Sequence, residues 1–295
     1  MLRIVLFLLT NLAIMLVLSV VASIFGLDRW AYTHSGINLT GMLVFCALFG
    51  MGGSFISLLL SKTMAKMSVG AQVIAEPRNA SEKWLFDTVG HHAQNAGIGM
   101  PEIAIYDAPE MNAFATGASK NHALVAVSTG LLNSMNRDEV SAVLGHEITH
   151  VSNGDMVTLA LIQGVVNTFV MFLARVLGSL IDGMLSGNRD REGGGYGIGY
   201  FVITMVLQTI LGVLATMIVM WFSRWREFRA DAGGARLGGR NNMISALQTL
   251  SGNHGDAQLP KAVQAFGISG QGGVSRLFMS HPPIEERIAA LRAAA

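Results

Sequence analysis

The segment His146-Glu147-Ile148-Thr149-His150 holds two histidines four residues apart, with a glutamate directly after the first. On a helix this spacing puts both rings on one face, one turn apart. Both can then reach a single Zn²⁺ at about 2.0–2.1 Å. Glu147 stands where it can take a proton from water at that ion, which is the general-base role in metal-assisted hydrolysis. A catalytic zinc also needs a third protein ligand and an open position. The segment Arg226-Glu227-Phe228-Arg229-Ala230-Asp231 offers that ligand, with Glu227 the leading candidate. Glu227 and Asp231 share a helix face, so one can ligate the ion while the other accepts a hydrogen bond from a ligand histidine.

The element that carries the first motif is legible. Asn136 can cap a helix over 137–152, with Glu139 at the capping-box position. Val140, Val143, Leu144, Ile148 and Val151 recur at helical spacing, and Asn153-Gly154 ends or bends the helix. Further helices are expected over 81–97, 224–237, 241–251, 259–266 and 284–294. Short strands are expected over 102–106, 113–117 and 123–128. The adjacent pair His91-His92 reads as a solvated helix face, because neighbouring residues point in different directions. Asn153 and Asp155 read as residues that turn the chain into the next element.

These elements sit in an unusual background. Of the 295 residues, 51% are hydrophobic and 13% charged, and the mean hydropathy is +0.47. Soluble domains carry about 25% charged residues, so a disordered chain, a coiled coil and an ordinary cytosolic enzyme are excluded. With 20 basic and 19 acidic residues there is no bulk field for nucleic acid. The single cysteine, Cys46, excludes an internal disulfide and a cysteine-based zinc cluster.

Four stretches account for the low charge: 4–26, 37–61, 156–181 and 197–223. Together they hold one charged residue, Arg175. Each exceeds the roughly 20 residues that a helix needs to cross a bilayer. The first is too long for a signal peptide and lacks a clear cleavage site. Gly50 and Ser54 in the second have the spacing of a close helix–helix contact. Arg175 is expected to snorkel toward the nearer membrane surface. Arg3, Lys62, Lys66, Arg224, Arg226, Arg229 and Arg236 fall on one side of a four-span topology, and Arg29, Arg189 and Arg191 on the other. The excess puts both termini and both large polar segments in the cytoplasm. The glycine-rich loop 182–196 is then outside.

The topology tests the ligand set. His146, His150 and Glu227 can share an ion only if an even number of spans separates them, and two do. His34 falls on the wrong side. His150 and Glu227 lie six and four residues from the flanking spans, so the ion is expected roughly 10 Å from the membrane boundary.

The run His146 to Asp155, a hydrophobic hairpin, the run Arg226 to Ala235 and Ser280-His281-Pro282-Pro283 together resemble the HtpX family of membrane zinc metalloproteases, related to the CaaX prenyl proteases. The resemblance covers nearly the whole chain. It implies a gluzincin endopeptidase of the bacterial inner membrane, acting in stress response and membrane-protein quality control. It implies one zinc per chain held by His146, His150 and Glu227, with Glu147 as base and Asp231 orienting His146. It further implies that Asn112, Ala113, Phe114 and Ala115 form an edge strand that pairs with extended substrate. His281 is either a local cap or a donor to the developing oxyanion.

The expected architecture is therefore a mainly α membrane protein: about four transmembrane helices plus a cytoplasmic α+β zincin-like domain with a small sheet. The expected organisation is two N-terminal spans (1–61), a first protease half (62–155), a transmembrane hairpin (156–223) and a second protease half (224–295). Membrane or unfolded polypeptides and the lipid bilayer are the expected partners. The competing reading is a metal-binding membrane adaptor or transporter without hydrolytic activity; a lipid hydrolase is a third.

Overall fold

The computed structural model describes residues 38–186, 198–252 and 275–294, and the isolated Ile24. The expected first span, the helix expected over 259–266 and most of the glycine-rich loop lie outside the described residues. Three described helices are long and apolar enough to cross a membrane. These are α1 (Leu39–Val69), α5 (Asp155–Ser186) and α6 (Ile198–Gly238). Between them come β1 (Gln72–Val73), α2 (Ala80–Asn95), β2 (Glu102–Tyr106), β3 (Ala113–Gly117), β4 (Ala123–Ser128), α3 (Thr129–Ser134) and α4 (Arg137–Asn153). After α6 come α7 (Arg240–Gly252), a 3₁₀ turn (Ser275–Phe278) and α8 (Ile284–Ala293).

The boundaries differ from expectation at the membrane. The fourth charge-poor stretch and the helix expected over 224–237 form one helix, α6. A change from apolar to polar side chains does not end a helix, and no proline interrupts this one. It stops where Gly239 adopts φ 97°.

The chain divides into two compact units. One comprises the described residues up to Ile56, Ala160–Val219 and no strand. Its helices meet at small residues. Gly50 lies against Thr168, and Gly164 against Met51 and Ser54, which is the contact that the Gly50/Ser54 spacing predicts. Large apolar side chains such as Phe49, Phe55 and Leu214 are exposed, as on helices whose solvent is lipid. Arg175 does not snorkel: its Nη1 donates to the Met171 carbonyl 3.1 Å away, back along the helix, and its guanidinium lies over Phe45.

The second unit takes in Ser57–Leu159 and the described residues from Met220 onward. Its sheet has the order β1-β2-β4-β3. β2 and β4 run parallel, while β1 and β3 are antiparallel to their neighbours. β4 is buried at every position, as a central strand covered on both faces must be. β3 is an edge strand. Leu85, Val89, Ile103, Val125, Val127, Val140, Leu144 and Ile148 form the main core between α2, the sheet and α4. β1 and α3 were not expected: two residues of strand and six of helix carry too little periodicity to read.

Candidate metal centre

The capping box closes at the start of α4. The Asn136 side chain accepts from the Asp138 and Glu139 amides, and the Glu139 carboxylate accepts from the Asn136 amide. Ser245 and Thr249 of α7 also donate to Glu139. The cap therefore ties α7 to the helix that bears the histidines.

α6 approaches α4 through glycine. A Cβ placed on Gly234 would lie 3.0 Å from the Ala142 carbonyl and 3.1 Å from the His146 amide. One placed on Gly145 would lie 3.3 Å from Gly234 Cα. Side chains at these positions would force the helices apart and separate His146 and His150 from Glu227.

In the structure these three residues are buried together, with ligand atoms all within 4.8 Å of one another. His146 Nε2 and His150 Nε2 are 3.1 Å apart. His150 Nε2 lies 3.2 Å from Glu227 Oε1, and His146 Nε2 lies 3.5 Å from Glu227 Oε2. Two ligands of a tetrahedral zinc, each at about 2.0–2.1 Å, stand about 3.3 Å apart. The three separations bracket that value. Glu227 is 1% exposed and its Oε1 makes no aligned hydrogen bond. A buried carboxylate oxygen without a donor is costly unless a cation takes it. The donor set fits one zinc.

The outer ring of contacts orients each ligand. His150 Nδ1 donates to Asp155 Oδ2 at 2.8 Å. A carboxylate can only accept, so the proton sits on Nδ1 and Nε2 keeps its lone pair. His146 Nδ1 lies 2.9 Å from Asp231 Oδ1. This contact is short but off the line of the ring N–H, so it is an ion-pair contact rather than an aligned hydrogen bond. Arg287 donates to both Asp231 oxygens, at 2.7 and 2.6 Å, and lies 3.6 Å from Glu227 Oε2. The fork holds Asp231 in place.

Other residues fall differently from expectation. Asp155 is more than a turn residue: Gly154, at φ 66°, reverses the chain so that Asp155 meets His150. Arg287, six residues after His281, was not expected; it is buried against Asp231, and no local spacing in the sequence signals that contact. His281 Nδ1 donates to Glu227 Oε2 at 2.7 Å, and its side chain is 61% exposed. α8 begins at Pro283 with no side-chain cap, so His281 does not cap it. His92 is buried, with Nε2 3.0 Å from the Ser141 carbonyl and hydroxyl, while His91 is exposed. The pair is not a solvated face.

The Asn112 to Ala115 segment runs into β3, against which α4 packs. The Asn112 amide donates to Ser128 Oγ, and its carbonyl accepts from the Ser128 amide. Its side chain is exposed. Ala113 and Ala115 pack on the core shared with α4, whereas Phe114 packs with Tyr106 on the opposite face.

The electrostatics describe the protein without its ion. Burial by itself lowers the pKa of His146, but contacts with Asp231 and Glu227 outweigh it and raise the value to about 10. Burial also opposes the charge on His150, and Asp155 and Glu227 again prevail, so its pKa is raised. At neutral pH a proton on His146 thus takes the place of the metal, and loading the metal must expel it. In the metal-free protein this stabilisation is fully present below the ordinary histidine value of 6.5 and is lost as pH rises through about 10. Metal affinity runs the other way. It is expected to rise by at least about tenfold per pH unit below 10, with one proton released from His146 and a further one wherever His150 is also protonated. Zinc titrations against a competing chelator at pH 7 and 8, with calorimetry in buffers of different ionisation enthalpy, check this. Affinity independent of pH would contradict it.

Comparison with known proteins agrees with this chemistry. Peptidase family M48 matches residues 79–295. Protease HtpX of Xanthomonas euvesicatoria pv. vesicatoria is 63% identical over 294 residues, covering 99% of this chain and 97% of the relative. Protease HtpX of Xanthomonas oryzae pv. oryzae is 62% identical over the same coverage. The crystal structure of S. mikatae Ste24p, at 20% identity, aligns with a TM-score of 0.58 over 97% of this chain and 67% of that one. That likeness concerns fold alone. With a buried His-His-Glu zinc site and a glutamate beside its first histidine, the chain belongs to peptidase family M48 as an HtpX-type membrane zinc metalloprotease.

Proposed function

We propose that the chain cuts membrane proteins and unfolded polypeptides at the cytoplasmic face of a bacterial inner membrane, as a quality-control endopeptidase. The observation that carries this reading is the packing of the His146–Glu147–His150 helix against the edge strand β3. An edge strand offers unpaired N–H and C=O groups to an extended peptide, a mode that selects backbone rather than sequence. The charge-poor stretch 4–26 is long enough in sequence for a fourth span, and with it the basic flanks favour both termini and the site on the cytoplasmic side.

A zinc held by His146, His150 and Glu227 would supply a Lewis acid that polarises the scissile carbonyl and makes water acidic near neutral pH. Glu147 takes the proton of the attacking water and returns it to the leaving amine. Asp231 and Asp155 hold the two imidazoles with Nε2 inward. His281 fixes Glu227 through Nδ1, and its exposed ring stands at the site as a candidate partner for the developing oxyanion. Asn112 binds the substrate main chain at the start of β3.

Purified protein in detergent is expected to hydrolyse casein or a membrane-protein substrate. A chelator should stop the reaction and added zinc should restore it. Cleavage that persists after the metal has been stripped would refute this mechanism. Zinc flux through vesicles without cleavage would favour a transporter.

A further inference from the structure

The membrane unit holds an open cavity of mixed polar and apolar lining that the zinc chemistry does not use. It measures about 460 Å³ and is lined by Arg175, Phe201, Thr204, Met205, Gln208 and Thr209. Arg175 has no carboxylate partner among the described residues; it meets the Met171 carbonyl, the Phe45 ring and the Cys46 thiol, none of which carries a full negative charge. Thr204 is 9% exposed, and its buried hydroxyl has no hydrogen-bond partner among the described residues. Gln208 makes no hydrogen bond among the described residues. Among the described residues, a guanidinium without a carboxylate, and an amide and a hydroxyl without partners, meet at one place in an apolar unit and call for an acceptor that carries negative charge.

Depth decides which acceptor. The guanidinium bends back to the level of Met171, near the middle of the charge-poor stretch 156–181. Gln208 and Thr209 lie within two residues, or about 3 Å, of the middle of 197–223. Lipid phosphates sit about 15 Å from the bilayer midplane, and the bent side chain does not reach toward them. The group that meets this cavity must itself lie deep in the membrane.

We propose that the cavity binds the carboxylate of an aspartate or glutamate in a transmembrane segment of a protein substrate. In an assembled membrane protein such a residue is paired; left unpaired, it marks a misassembled subunit. The site would therefore select damaged membrane proteins by their unmatched intramembrane charge. This rests on the reading of the chain as a protease of membrane proteins.

The test uses full-length protein in proteoliposomes and two single-span substrates. Both carry the same cytoplasmic tail, and they differ by aspartate or leucine at mid-span. Casein is assayed beside them. The aspartate span is expected to be cut about threefold to twentyfold more efficiently, the range that intramembrane polar contacts cover. Arg175→Gln should remove that preference and leave casein hydrolysis unchanged. Gln208→Leu and Thr204→Val should reduce it, and they serve if Arg175→Gln does not fold. Equal cleavage of the two spans, or a preference that survives all three substitutions, overturns the proposal. So does a phospholipid that co-purifies with wild type and is lost from Arg175→Gln while the spans are cut equally. Failure to cleave casein at all would instead overturn the protease reading.

Discussion

Glu147→Gln is expected to lower kcat by about a hundredfold to ten-thousandfold, the range a positioned general base contributes, while zinc content stays at one per chain. The argument is geometric. Glu147 follows His146 on α4, so its side chain leaves the helix beside the ligand face rather than on it. The ion is held by His146, His150 and Glu227, which the substitution does not touch. Glu147 is half-buried, so glutamine removes no core packing and keeps the shape. What disappears is the ability to accept a proton. Cleavage assays on casein with metal analysis of the same sample separate the outcomes. A variant that retains zinc and near-normal cleavage would remove Glu147 from the mechanism. A variant that loses zinc would place it among the groups that hold the ion.

The histidine pair was readable because helical spacing alone puts His146 and His150 together. Glu227 was readable for a different reason. It lies 77 residues further on by number, but topology limited which side it could occupy, and the carboxylate pair Glu227/Asp231 had the right chemistry. Asp155 and Arg287 were not readable. Asp155 reaches His150 only because Gly154 adopts a left-handed conformation at the end of α4, and sequence had already given it a plain role as a turn residue. Arg287 reaches Asp231 only after α8 docks on the α6–α7 region, a tertiary event without local periodicity. The same distinction explains His92, whose burial depends on its contact with Ser141 of α4.

The glycines extend this point. Gly234 belongs to the motif after the hairpin, yet its use emerges only when α4 lies against it. Motif residues that bear no chemistry of their own set how closely the two ligand-bearing helices can approach. Arg175 is the converse. Its position in a span was legible, but the direction of its side chain was not, because a nearby carbonyl and the Phe45 ring compete with the membrane surface for the guanidinium.

The charge balance of the centre leads to the second large effect. Asp155, Asp231, Glu227 and Glu147 stand around the centre, and a single guanidinium, that of Arg287, meets Asp231 and Glu227 among them. A divalent cation offsets two of the three negative charges that remain; without it, protons on the histidines do so in part. Glu227→Ala removes a ligand and one of the charges that attract the ion. Zinc content is expected to fall from one per chain to near zero, and cleavage to fall by more than about a thousandfold, since both the ion and the water it activates are lost. The fold should survive. Arg287 keeps its two-pronged contact with Asp231, so the cost stays below the roughly 3–5 kcal/mol of orphaning a buried charge. Asp231→Asn reverses the balance of effects: all three ligands remain, zinc weakens by about 10–100-fold, and Arg287 loses its partner. Thermal melts with and without zinc distinguish the two. Zinc should raise the melting temperature of wild type and of Asp231→Asn but not that of Glu227→Ala. A zinc-dependent rise in Glu227→Ala, with cleavage retained, would mean that another group is the third ligand.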